Sequence, residues 1–155
     1  MDAINVLTED HRAVNRALLQ YEDLHPGATA DRREIVDEIT RRLASHTATE
    51  QQFLHPLVTA AVPDGERLVA GEVGGHRDIA TMLRALATST VESDGFDAQV
   101  RELIVHVRRH MECEEQSLFP ILRNVIDRDR LVQLGETIRA ARAVERTAPK
   151  RPRSN

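Results

Sequence analysis

Apolar residues recur at helical spacing through most of the chain, and no segment alternates like a strand. The spacing predicts a first helix from about Asp2 to Leu24, with Ile4, Leu7, His11, Val14, Leu18 and Tyr21 along one stripe. His25-Pro26-Gly27 ends it, because proline disfavours helix in the residue before it. Asp31 and Glu34 read as a capping box opening a second helix, whose stripe is Ile35, Ile39, Leu43, His46, Glu50, Phe53 and Leu57. Pro56 is expected to kink that helix near its end, and Pro63-Asp64-Gly65 to break it. A third carries Val69, Glu72, His76, Ile79, Leu83 and Leu86, with a bend or late start expected at Gly74-Gly75. After Ser93-Asp94-Gly95 a fourth carries Val100, Leu103, Val107, His110, Glu114, Ser117 and Ile121, with Pro120 near its end. Asp127 opens a shorter fifth helix with Leu131, Leu134 and Ile138, ending around Val144. The expected fold is all-α: an up-down-up-down four-helix bundle over residues 1–125, a short additional C-terminal helix over 126–146, and a flexible basic tail over 147–155.

Composition narrows the function classes. A chain of 155 residues fits one domain with a sizeable core. Twenty-one basic against 25 acidic residues argue against nucleic-acid binding. One cysteine, Cys113, excludes an intrachain disulfide and a cysteine-based zinc knuckle. With no basic and apolar leader at Met1-Asp2-Ala3 and no apolar run of membrane-spanning length, a cytoplasmic protein without a membrane partner is expected.

The informative residues are polar ones on apolar stripes. Each of the four main helices has a histidine there: His11, His46, His76 and His110. In the second and fourth, a glutamate follows one turn later, as Glu50 and Glu114, on the same helix face. These six side chains should converge inside the bundle, where a carboxylate needs a partner or a metal. The pattern also repeats. His46, Glu50, Gln52, Leu54 and Pro56 recur as His110, Glu114, Gln116, Leu118 and Pro120 at a constant offset of 64 residues. Two helix pairs with matching donor sets would form a pseudo-twofold bundle around two metal ions.

Imidazole and carboxylate without thiolate suit iron or manganese, and less exclusively zinc or copper. Two octahedral ions offer about twelve coordination positions. Four imidazoles, two bridging glutamates and one solvent-derived oxo or hydroxo bridge leave about two open, enough for a small ligand.

The order His, His-x-x-x-Glu, His, His-x-x-x-Glu on four helices resembles the bacterial hemerythrin-like proteins of the HHE cation-binding type, over roughly residues 1–125. The resemblance implies a non-haem di-iron centre ligated by His11, His46, Glu50, His76, His110 and Glu114, with both glutamates bridging; manganese and zinc are alternatives to iron. It further implies reaction with dioxygen, hydrogen peroxide or nitric oxide, including catalase- or peroxidase-like detoxification. A non-catalytic iron-dependent oxygen or nitric oxide sensor is the alternative. The chain departs from animal hemerythrins, which have a second third-helix histidine where Ala80 stands, and a bridging aspartate five residues after the fourth-helix histidine. His55, five residues after Glu50, is the candidate substitute ligand. An ideal helix would turn it about 140° from the ligand face, and a π-bulge beside Pro56 would bring it back. Alternatively it packs at the bundle end against Leu54 and Leu57.

His25 reads as an exposed turn residue, His106 as partly exposed or outside the ligand set, and Cys113 as a small packed hydrophobe. Ferritin-like iron storage would need Glu-x-x-His on two helices, and only Glu22-x-x-His25 has that spacing. A metal-free interaction bundle leaves the glutamate pair unexplained. The fifth helix could cover the bundle or form a dimer contact, so a monomer or a homodimer is expected.

Overall fold

Asp2 opens the first helix as its N-cap, its side chain accepting from the Asn5 amide at 2.8 Å. This computed structural model describes residues 1–25 and 27–147; Pro26 and most of the expected basic tail, residues 148–155, lie outside the described residues. Helix α1 spans Ala3–Glu22 and buries the whole expected stripe from Ile4 to Tyr21, His11 included. Helix α2 spans Thr29–Thr49. It starts two residues before the expected capping box: Ala28 is the cap and makes no side-chain capping bond. Asp31 lies instead in the first turn, where its charge complements the helix dipole. Val36, not Ile35, takes the fully buried position, and Ile35 packs half-buried beside it.

Neither α2 nor the fourth bundle helix continues as plain α-helix. Glu50–Leu54 and Glu114–Leu118 are π-helical, and the rods resume as α3, His55–Ala61, and α6, Phe119–Val125. In each, the amide after the segment donates to the glutamate five residues back, His55 to Glu50 and Phe119 to Glu114. Pro56 and Pro120 follow immediately. A proline within a helix lacks an amide hydrogen and crowds the carbonyl four residues before it, and a widened turn accommodates both effects.

Helix α4 runs from Gly65 to Thr88 without interruption, so the late start expected at Gly74-Gly75 does not occur. Helix α5 covers Phe96–Cys113. The antiparallel rods are thus α1, α2–α3, α4 and α5–α6. Helix α7, Arg128–Thr147, is as long as α1 rather than short, and packs along it. Two large apolar clusters form most of the core, and a small third one joins Ala3, Val6 and Ile138 where α7 meets α1. One large cluster is built around Leu18, Ile39, Leu86, Phe96 and Leu103, the other around Leu7, Leu54, Leu118, Phe119 and Leu122. Between these two, at the level of His11, lies a polar layer.

Candidate metal centre

The polar layer is made by residues at corresponding heights on four rods. His11 lies on α1 between Leu7 and Val14, His46 on α2, His76 on α4 and His110 on α5. Glu50 and Glu114 open the two π segments and are fully buried. His11, His46, Glu50 and Glu114 offer one donor atom each within 4.8 Å of one another, and so do Glu50, His76, His110 and Glu114. The two glutamates belong to both groups, which places all six motif residues in one paired cluster.

Donor atoms face one another closely. His11 Nε2 is 3.0 Å from Glu114 Oε2, His110 Nε2 3.0 Å from Glu114 Oε1, and His76 Nε2 3.0 Å from Glu50 Oε2. His46 Nε2 lies 3.4 Å from Glu50 Oε1 and 3.2 Å from His11 Nε2. Both carboxylates, His76 and His110 Nε2 nevertheless lack hydrogen-bond partners. Atoms that crowd together without a proton along the line between them are costly when buried. A cation at the point of convergence relieves that cost. The donor set, nitrogen and oxygen with the one thiol exposed at Cys113, fits a first-row metal of intermediate hardness.

The charges respond to this crowding. Burial alone would raise the Glu114 carboxyl, but His11, His110 and His46 hold it well below the usual carboxylate range. Burial would likewise lower His46, yet Glu50, Asp10 and Glu114 together push it up to about 10. His55 is lowered, first by burial.

The outer nitrogens have partners too. Glu115 Oε1 sits 2.7 Å from His11 Nδ1, Asp10 Oδ2 3.5 Å from His46 Nδ1, and Glu72 Oε2 3.7 Å from His110 Nδ1. Burial, reinforced by Glu114, raises the Glu72 carboxyl to about 8. His76 Nδ1 has no hydrogen-bond partner. Instead His55 stacks on His76, centroids 5.7 Å apart and rings 13° from parallel, with its own Nε2 buried and unpartnered. His55 therefore reaches the site, as a π segment beside Pro56 would require, but stands outside both four-residue groups. Gly75 leaves room for the neighbouring ring: a Cβ on it would come within 2.9 Å of His110 Nδ1.

A continuous sequence match joins this geometry to known proteins. Residues 2–122 match the hemerythrin HHE cation-binding domain model. The chain belongs to the hemerythrin HHE cation-binding family. The family's fold is matched in a crystal structure of an HHE cation-binding domain-containing protein from Mycobacterium kansasii, with a TM-score of 0.81 at 23% identity. That match covers 94% of this chain and 86% of the other. The chain is also 24% identical over 144 residues to a DNA nickase of Nostoc sp., covering 92% of this chain. It spans only 40% of the nickase's length.

Other sequence candidates fall outside this HHE centre. His25 is exposed, its Nδ1 accepting from the Gly27 amide at 3.2 Å. His106 is exposed, and Cys113, expected to pack, is exposed as well. Cys113 follows Glu112 on the outer face of α5, and lines a cleft of about 330 Å³ with Gly71, Glu72, Gly75 and His110. His110 is the one motif side chain with appreciable exposure, 12%. Asp10, Glu72, Glu115 and Arg142 are the site residues that sequence reasoning missed.

Proposed function

We propose that this chain is a non-haem di-iron protein that binds and turns over small oxidants, hydrogen peroxide foremost, with dioxygen and nitric oxide as further ligands. The observation that supports this most is the pair of donor groups sharing Glu50 and Glu114. His11 and His46 would serve one ion, His76 and His110 the other, and both glutamates would span them. Iron held there would supply reversible electron transfer to a bound oxidant. His55 would add a nitrogen donor beside His76, offsetting the absence of a second histidine on α4. Apolar clusters above and below the layer keep bulk water away from it. A small molecule would approach through the cleft at His110, past Glu72. The nickase's name brings no DNA chemistry into this reading, because acidic residues outnumber basic ones, 25 to 21.

Metal content of the purified protein, with its absorption spectrum before and after peroxide, tests the proposal. About two irons per chain are expected from the paired octahedral donor sets. Charge-transfer bands and continued iron-dependent peroxide loss should accompany them, and His110→Ala should abolish the turnover. A di-iron spectrum unmoved by peroxide would replace the enzyme reading with that of a non-catalytic sensor. Failure to take up anaerobic ferrous iron would overturn the ligand set itself.

A further inference from the structure

Helix α7 begins beyond residue 122, where the family match ends, yet one of its side chains reaches the centre. Leu131, Gly135, Ile138 and Arg142 are spaced four, three and four residues apart, so they share one helix face. Leu131 and Ile138 are buried on it. At Gly135 the start of α1 passes so close that a Cβ would come within 2.4 Å of the Met1 carbonyl oxygen. That close seat fixes the height of α7 along α1.

Two turns further on, Arg142 grips Asp10 with two parallel hydrogen bonds. Nη1 donates to Oδ1 at 2.9 Å and Nη2 to Oδ2 at 2.6 Å. Nη2 also donates to Thr49 Oγ1 at 2.8 Å, on the turn of α2 that carries His46. The same Asp10 Oδ2 faces His46 Nδ1 at 3.5 Å. A forked guanidinium pair fixes the plane of the carboxylate it holds. A carboxylate at the outer nitrogen of a metal-binding histidine fixes its tautomer and ring orientation, leaving the other nitrogen free to ligate. The pseudo-twofold mate is built differently: the Glu72 Oε2 facing His110 has no hydrogen-bond partner.

We infer that Arg142 is a positioning residue that acts through Asp10 to orient His46 toward the donor group it forms with His11, Glu50 and Glu114. The inference rests on the metal-binding reading above, and makes α7 a working part of the centre. The two metal positions are then unequal, the His46 side being the more firmly held.

The test uses the full chain loaded with ferrous iron under anaerobic conditions, and follows iron release to an excess of ferrous chelator. It compares wild type, Arg142→Met, Arg142→Lys, Asp10→Asn and the Arg142→Met/Asp10→Asn double variant. Loss of an outer partner typically weakens metal binding about 10–100-fold, so Arg142→Met should release one of its two irons faster by that factor. Arg142→Lys, which keeps the charge and loses the fork, should fall between. The double variant should add little to either single one, because the two residues act in series. Thermal midpoints of the metal-free proteins separate positioning from simple anchoring. Positioning leaves the metal-free midpoint of Arg142→Lys near that of wild type while its iron release quickens. Unchanged release in Arg142→Met, or equal midpoint losses with and without iron, would overturn the inference while leaving the metal reading intact. A wild-type chain that takes up no iron would overturn both.

Discussion

At position 55 an imidazole lies flat against His76, close enough to the centre to supply a donor and apolar enough in its setting to serve as packing. Burial lowers its basicity, which favours the neutral ring a metal requires. Its buried, unpartnered Nε2 favours the donor role, since satisfied packing histidines normally find a hydrogen bond. His55→Phe keeps the stack and removes the nitrogen. We expect the variant to load iron but to shift its charge-transfer bands. One iron should be released faster by at least about 10-fold, the lower bound for losing even an outer partner. Identical spectra and release rates would make His55 a packing ring. The six motif positions could be read from sequence because imidazole and carboxylate interrupt otherwise apolar stripes. Asp10, Glu115 and Arg142 could not: a charged residue next to a stripe resembles a solvated face until packing shows what it touches. Glu72 was the exception, since it stood on the α4 stripe one turn before His76.

Helices were legible wherever the stripe was regular, and obscure where a backbone detail decided. The capping box at Asp31 and Glu34 failed because a first-turn acid and an N-cap look alike in sequence when the helix can begin one turn earlier. The π segments were legible only beside His55, although the repeat of Pro56 at Pro120 marks both. Gly74 and Gly75 suggested a late start from propensity alone, but propensity is readily overridden by packing. Their roles separate by one residue. A Cβ on Gly74 meets nothing within 4 Å, so Gly74→Ala should stabilise α4 by about 1 kcal/mol. That corresponds to a rise in melting temperature of roughly 2–4 °C at this chain length, with iron content unchanged. Gly75→Ala offers the same helix gain, yet its Cβ lies 2.9 Å from His110 Nδ1 and must displace that ring. Its metal-free form should melt no lower than wild type while its iron-loaded form loses iron from the His110 side. Full iron content with an unaltered spectrum in Gly75→Ala would show that the His110 ring is not confined there.

Across the whole molecule, the His/Glu layer separates the two large apolar clusters, and each bundle rod crosses it. Along α1 the order is Leu7, His11, Val14; along α5 and its continuation it is Val107, Glu114, Leu118. Hydrophobic packing therefore holds each end of the bundle, while the middle depends on how its buried carboxylates are compensated. Without metal, the groups that compensate Glu50 and Glu114 among the described residues are imidazoles whose contacts lack hydrogen-bond geometry, and the nearby Glu72 carboxyl adds to the crowding, an arrangement that recovers little of the desolvation cost. A metal that binds the folded chain alone stabilises it through mass action, by about 2.7 kcal/mol per site when free metal stands at 100 times Kd. A chain of this size gains roughly 2–4 °C per kcal/mol, so each occupied site should raise the melting temperature by on the order of 5–10 °C. Calorimetry of the iron-loaded protein, before and after chelation at neutral pH, measures the difference directly. Matching melting temperatures would mean that the layer is self-sufficient, and that its crowded oxygens and nitrogens are satisfied without an ion. A large downward shift, reversed on adding ferrous iron anaerobically, would show that the metal joins the two halves of the core as well as supplying its chemistry.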